Sequence, residues 1–505
     1  MSLLSFLESR PWANNTTRIA LKKGTNGPSV SYPSLLRQAE SLAKAFPFNT
    51  VVSSCLFNSI ESVMVYLAIG AAGSAISPLN PEYSESEFES FLRLSPGGLV
   101  VSASGNAAAE AAATKLGLPI SRVDCGVDGT LVLNGNHPRR TYEPHPVSAE
   151  QIAVILYTSG TTGYPKTVPL SHANISASVQ NIVQTYALSE SDSTLAVMPF
   201  FHTHGLVGSL SSTLASGGTV ILPSTGKFSA STFFADLVCN GCTWYTAVPT
   251  IHQILLDVDC SLLKDPLNRL RFIRSCSSAL APVLLHQLER KFGVEMIEAY
   301  ALSETCHEIT SNPLGGRRKP GTVGGTHGEI IVRIYDENGR QLPLRTSGEV
   351  CVAGPTVIKG YLNNHEANTR AFINKHFFRT GDQGFIDSEG FLTITGRIKE
   401  LIDRGGEKIS PLELDAILLA HPAVSEAITF PIPHPTYGEI VGAAVVLKPS
   451  WNVSEAEIIN FVASKVARFK VPARVFITGL LPKTATGKFQ RRVVASHFLK
   501  ETSKL

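Results

Sequence analysis

Apolar residues come along this chain in two rhythms. Residues 153–157 (AVILY), 218–222 and 244–248 are short, unbroken apolar runs, the composition of strands buried on both faces. Between them, 231–238 and 249–258 carry apolar positions at helical spacing. The alternation predicts α/β layers built on parallel strands. Residues 63–76 are apolar and small. They fall short of the roughly 20 residues a membrane span needs, so one buried helix is predicted there.

The rhythm changes after about residue 325. Residues 330–335, the turn Asp336-Glu337-Asn338-Gly339 and a following strand read as a hairpin, and residues 385–395 around Ser388-Glu389-Gly390 read as a second. This antiparallel segment predicts a small barrel. Past Gly396 the pattern changes again. Ser410-Pro411-Leu412-Glu413 is a capping box with proline at the first helical position, opening a helix to about Ala420, and Ser454-Glu455-Ala456-Glu457 opens another. Strands are predicted at 427–430 and 441–447. The fold class is therefore α/β: a large N-terminal domain of stacked layers over 1–398 with a barrel-like segment, then a small α+β domain over 400–505.

The 505 residues, 43% hydrophobic and 17% charged with a formal net charge of +3, give no electrostatic footprint for nucleic acid. Eight scattered cysteines show no disulfide framework and favour a reducing compartment; the single CxxC, Cys239 and Cys242, lacks the second pair a zinc site needs. The N-terminus lacks the basic and apolar regions of a signal peptide. Ser503-Lys504-Leu505 is the tripeptide read by the peroxisomal import receptor, which predicts a peroxisomal location and otherwise a cytoplasmic one.

The most unusual chemistry follows the first buried strand, in YTSGTTGYPK at 157–166. Glycines let a backbone approach a ligand closely, and the hydroxyls of Thr158, Ser159, Thr161 and Thr162 add donors without bulk. Lys166 adds a point charge. The set suits a polyphosphate, although it is not the GxxxxGK[ST] loop.

This stretch resembles the phosphate-binding signature of the adenylate-forming superfamily, which includes acyl-CoA synthetases, beetle luciferases and peptide-synthetase adenylation domains. Further motifs follow in that family's order: PFFHTHG (199–205), YALSE (300–304), GEVCVAGP (348–355), RTGD (379–382), GRIKELIDRGGEKISP (396–411) and PKTATGKFQRR (482–492). The resemblance implies that a carboxylate attacks the α-phosphate of ATP, expelling pyrophosphate, and that a thiol then attacks the acyl-adenylate. It places Thr158, Ser159, Gly160, Thr161, Thr162 and Lys166 on the phosphates, Tyr300 against adenine, Ser303 near phosphate, Asp382 on the ribose hydroxyls and Arg397 on ribose or phosphate. Glu304 would engage Mg²⁺, and His202 would act as a mobile gate. Lys488 would bridge the substrate carboxylate and the α-phosphate. Lys399 would be the hinge on which the small domain rotates, bringing Gly405, Gly406 and Lys408 towards CoA. Ser303 departs from the family's threonine but keeps the hydroxyl.

Several stretches, among them FFHTHGLVGSL (200–210), RSCSSALAP (274–282) and SETCHEITSNP (303–313), are similar to the oxalate–CoA ligase branch. That resemblance implies that His204, His307 and either Ser277 or Ser278 hold the acid. A small dianion is costly to bury without several donors, which two imidazoles and a hydroxyl can supply. Ala353 stands where the branch has arginine, and GGTHGEIIV (324–332) also departs, so malonate, glyoxylate, acetate or a larger acid stay open as substrates. A His₃ zinc site from His202, His204 and His307, a luciferase-like oxygenase and a non-catalytic ATP-binding protein are further readings.

Overall fold

The computed structural model describes residues 2–135, 146–158, 166–264, 268–483 and 489–502. Ser159, Gly160, Thr161, Thr162, Lys488 and the terminal Ser503-Lys504-Leu505 lie outside the described residues.

Two large sheets form the N-terminal part. The nine-stranded sheet has a parallel centre made of Thr219–Leu222, Ser193–Leu195, Trp244–Ala247, Phe272–Ser275 and Glu295–Tyr300, in that spatial order. Ile19–Lys23 joins it in parallel beside Thr219–Leu222. The helices Phe233–Cys239, Pro249–Asp257 and Pro282–Phe292 lie between these strands in sequence, as the alternating pattern requires.

The seven-stranded sheet has Val51–Cys55, Ala75–Pro78 and Leu99–Ser102 at its centre. The predicted strand at 153–157 is Ile152–Thr158. It is parallel to Ala75–Pro78 on one side, but on the other it pairs antiparallel with Lys166–Ser171. The hydroxyl-rich stretch thus lies between two antiparallel strands, not in a parallel crossover.

Residues 63–76 are not one helix. The helix Ile60–Ala71 stops before Gly73 at φ +72, and Ala75–Pro78 is a strand. Both elements are buried, and burial on all sides erases the periodicity that would have told them apart.

The antiparallel segment is a five-stranded sheet with Ile331–Tyr335 at one edge and both Phe372–Ile373 and Leu392–Arg397 beside Phe377–Ile386 at the other. The second predicted hairpin is present, Phe377–Ile386 against Leu392–Arg397. The first is not a two-strand hairpin about Asp336–Gly339. Ile331–Tyr335 pairs instead with Gly348–Ala353, and only one bridge, Tyr335 to Gln341, follows the turn. Asp336 Oδ1 accepts the N–H groups of Asn338 (2.9 Å) and Arg340 (2.8 Å), closing a local turn that takes up the donors a ladder would use.

The small domain is a second five-stranded sheet, led by the long antiparallel pair Val424–His434 and Gly438–Leu447, with the helices Pro411–Leu419, Glu455–Ala463 and Arg491–Thr502. Ser454 and Glu457 form the full capping box. At Ser410 only half of it forms. The serine accepts the Glu413 N–H at 3.1 Å, but the Glu413 carboxylate pairs with Lys470 at 2.7 Å instead of turning back to the cap.

Candidate active site

The chemistry-bearing residues gather at the carboxyl ends of the parallel strands, where open α/β sheets bind ligands. Thr246 is near the end of Trp244–Ala247, Ser277 is two residues past Phe272–Ser275, and Tyr300 closes Glu295–Tyr300.

His204 and His307 are both buried and stack with ring centroids 4.6 Å apart, 26° from parallel. His204 reaches Thr246 Oγ1 through Nε2 (2.6 Å) and Ser277 Oγ through Nδ1 (3.1 Å). Ser277 is half-buried and Ser278 exposed, and of the two serines it is Ser277 that meets His204. Ser277 sits at φ +75, in the left-handed region. Cys306 and His307 are also left-handed, at φ +52 and +67, so three non-glycine residues carry this cost around one cluster.

His202 precedes the helical turn Thr203–Gly205 and packs its ring 4.8 Å from that of Phe201. That turn runs into a π-helical turn, Leu206–Ser211, which brings Gly208 against His307. A Cβ on Gly208 would lie 2.3 Å from His307 Cδ2 and 2.5 Å from Nε2, so only glycine permits this approach.

Beneath the imidazoles lies a residue that sequence reasoning missed. Arg274 is fully buried and donates to His307 Nε2 (Nη1, 2.7 Å) and to the Tyr186 hydroxyl (Nε, 2.8 Å). Glu308 is its nearest counter-charge, with Oε2 3.7 Å from Nη2 and both side chains fully enclosed. Burial raises the Glu308 carboxyl to about 7, against the pull of Arg274. The signal was a second cation in RFIRS at 271–275, placed directly after the apolar pair Phe272-Ile273 inside a strand.

A second cluster holds the residues expected at the nucleotide. The Tyr300 hydroxyl donates to Asp382 Oδ2, and Arg397 Nε contacts Asp382 Oδ1 at 2.8 Å. Burial raises the pKa of Asp382, opposed by Arg397. Glu304 Oε1 accepts the Tyr361 hydroxyl at 2.9 Å, and Lys166 Nζ stands 4.5 Å from the centroid of that tyrosine ring. Ser303 opens the short turn Ser303–Thr305 that carries Glu304, and Thr158 ends its strand.

On the small domain, Gly405 (φ +62) and Gly406 (φ +96) turn the hairpin between Ile402–Arg404 and Glu407–Ile409. Lys408 there pairs with Asp403 at 2.5 Å. Lys399 lies exposed in the single turn Ile398–Glu400 that joins the two parts.

Among the described residues no group of three or more His, Cys, Asp and Glu side chains could hold a metal ion. His204 and His307 commit ring nitrogens to Thr246, Ser277 and Arg274, which is at odds with a His₃ zinc site. Among the described residues no helix is long and apolar enough to cross a membrane.

Residues 9–362 match the model of the AMP-binding enzyme family, and 413–488 match that of the AMP-binding enzyme C-terminal domain. The chain belongs to the AMP-binding enzymes. It is 47% identical to an oxalate–CoA ligase of Arabidopsis thaliana, over 89% of this chain and 89% of that one. It is also 41% identical to an oxalate–CoA ligase of Saccharomyces cerevisiae, over 95% of this chain and 90% of the relative. ATP-bound MatB from Rhodopseudomonas palustris shares the fold at a TM-score of 0.88 and 29% identity, with 99% of each chain covered. As an AMP-binding enzyme of this kind the chain is an ATP-dependent, AMP-forming acid–CoA ligase.

Proposed function

We propose that this ligase activates oxalate, joining it to CoA through an oxalyl-adenylate. The observation that carries the reading is the convergence of two buried histidines, His204 and His307, and the half-buried Ser277 into one polar cluster. A dianion of a few atoms can be taken from water only where several donors replace its hydration. A long apolar acid would gain nothing from two stacked imidazoles.

In the first step one carboxylate oxygen of oxalate attacks the α-phosphorus of ATP, and pyrophosphate leaves. The carboxylate is already a nucleophile and needs no base, so the protein's task is to orient it and to offset charge. His204, His307 and Ser277 hold the acid. Asp382, once released from Tyr300 and Arg397, accepts the ribose hydroxyls. Lys488 meets the charge that builds between carboxylate and α-phosphate. In the second step the CoA thiolate attacks the acyl carbon and AMP departs with its electron pair.

Glu304 fits a Mg²⁺ ion: it is a hard carboxylate oriented by one hydrogen bond from Tyr361, and a lone protein carboxylate completed by phosphates and water suits that metal. When bound, Mg²⁺ would neutralise the charge of the polyphosphate.

The test is AMP release with ATP, Mg²⁺ and CoA across a panel of short dicarboxylic, short monocarboxylic, medium-chain and aromatic acids. Oxalate is expected to give the highest kcat/KM; a signal no greater than the no-acid blank overturns the reading. The terminal Ser503-Lys504-Leu505 supports a peroxisomal address. Removing those residues from a fluorescently tagged protein should turn a punctate signal diffuse, and puncta that persist refute the address.

A further inference from the structure

Arg274 is among the largest fully buried side chains of the protein. A guanidinium cannot shed its proton to ease burial, so it must be compensated where it stands. Its compensation is incomplete. Glu308 lies 3.7 Å from Nη2, beyond hydrogen-bond length, and Nη2 and both Glu308 carboxylate oxygens have no hydrogen-bond partner among the described residues. Nη1 is only 3.5 Å from Thr246 Oγ1. Its one short contact on the acid side is with His307 Nε2, at 2.7 Å.

That contact fixes a proton. Because arginine only donates, His307 Nε2 must accept, and the ring proton sits on Nδ1. We infer that Arg274 is the positioning and specificity-determining residue of the acid pocket: it holds His307 as the neutral Nδ1–H tautomer and sets a poorly compensated positive charge one imidazole away from the bound acid. The charge acts through His307. It rewards a second carboxylate and gives a monocarboxylate nothing. Gly208 completes the arrangement, since any side chain there would push His307 off the guanidinium.

The inference rests on the reading that His204, His307 and Ser277 hold the acid, and its first test is independent of any substrate. Protein carrying ¹⁵N in its histidine rings is examined by NMR at pH 7.5, with the His307 signals identified by their loss in His307→Asn. Wild type should show Nδ1 protonated and Nε2 bare, and Arg274→Met should show a mixture of both tautomers. A wild-type ring protonated at Nε2, or a variant identical to wild type, overturns the inference whatever acid the enzyme uses.

The second test compares kcat/KM for oxalate and for glyoxylate, its aldehyde counterpart with one carboxylate. If the panel favours another dicarboxylate, that acid and its monocarboxylate analogue replace the pair. Arg274→Met should cut the dicarboxylate preference by about 100-fold with the KM for ATP unchanged, the scale of a lost charge-assisted contact. Should that variant fail to fold, Arg274→Lys, which keeps the charge but gives up the fixed fork, should raise the KM for the dicarboxylate more than it lowers kcat. A preference that survives in a folded Arg274→Met, or an unchanged dicarboxylate KM in a folded Arg274→Lys, refutes the assignment.

Discussion

Glu298 shows how a single buried residue can tie stability to the acid pocket. Its Oε1 accepts the Leu280 N–H at 3.0 Å, anchoring the loop that carries Ser277, while Oε2 has no hydrogen-bond partner among the described residues. Burial raises its carboxyl from 4.5 to about 8, with the Leu280 hydrogen bond pulling the other way. Between those two values the folded chain keeps a proton that the unfolded chain releases. The stability this group contributes is therefore complete at low pH and is lost as pH climbs towards 8, at a slope of at most about 1.4 kcal/mol per pH unit. Glu298→Gln removes the titration and keeps a carbonyl for Leu280. Thermal melts from pH 5 to 8.5 should show the variant gaining on wild type as pH rises; a Tm difference that does not vary with pH would contradict the protonated carboxyl. Chain order alone told little at this scale. Ser277 and Ser278 are equivalent as letters, and only the fold separates them: Ser277 meets His204, and Ser278 is exposed.

Elements of this chain were legible to the extent that their signals were local. The strand after 152, the hairpin at 385–395 and the capping box at 454–457 each state themselves within about ten residues, and each is present. The proposed acid pocket is the opposite case. Thr246 and Arg274 come from two neighbouring strands of one sheet and His307 from the loop after a third, and nothing contiguous announces their meeting. The same holds for Arg491, which sits in the PKTATGKFQRR motif without a role of its own in the resemblance. It opens the helix Arg491–Thr502 and reaches three other elements: Glu400, beside Lys399 in the turn Ile398–Glu400 (3.2 Å), Asp415 in the helix Pro411–Leu419 (2.6 Å) and the Thr429 carbonyl in the strand Val424–His434 (2.7 Å). With only 11% of its side chain exposed, removing it leaves two carboxylates short of a partner, at a cost of about 3–5 kcal/mol. Arg491→Met should make the small domain open more often. Hydrogen exchange is expected to rise across 400–480 while the two large sheets keep their protection, and unchanged exchange over that range would show that Arg491 is not the clasp.

At the scale of the whole molecule, the two half-reactions make opposite demands. Adenylation needs a positive charge between carboxylate and α-phosphate, whereas thioester formation needs room for pantetheine to reach the acyl carbon. One rigid site serves both poorly, and we propose that the chain divides them. On that reading the residues for the first demand are split between the large part, with Asp382 and Glu304, and Lys488 near the C-terminus. The glycines for the second, Gly405 and Gly406, turn a hairpin just past Lys399, with no neighbouring atom within 4 Å of a Cβ added at Gly406. Lys483 and Phe489, which bound the TATGK segment in sequence, pair by an antiparallel bridge. Rotation about the 398–400 turn would exchange one set for the other, a lid motion carried out by a domain. Lys488→Ala separates the demands without touching the hinge. ATP–pyrophosphate exchange should fall by about 10²–10³-fold, the scale of losing one donor aimed at developing charge. Thioester formation from supplied acyl-adenylate and CoA should stay within a few-fold of wild type. Loss of both reactions would mean the variant has lost its fold or that the lysine serves both steps, and circular dichroism tells these apart. Undiminished exchange would remove Lys488 from the mechanism and with it the reason for the small domain to swing.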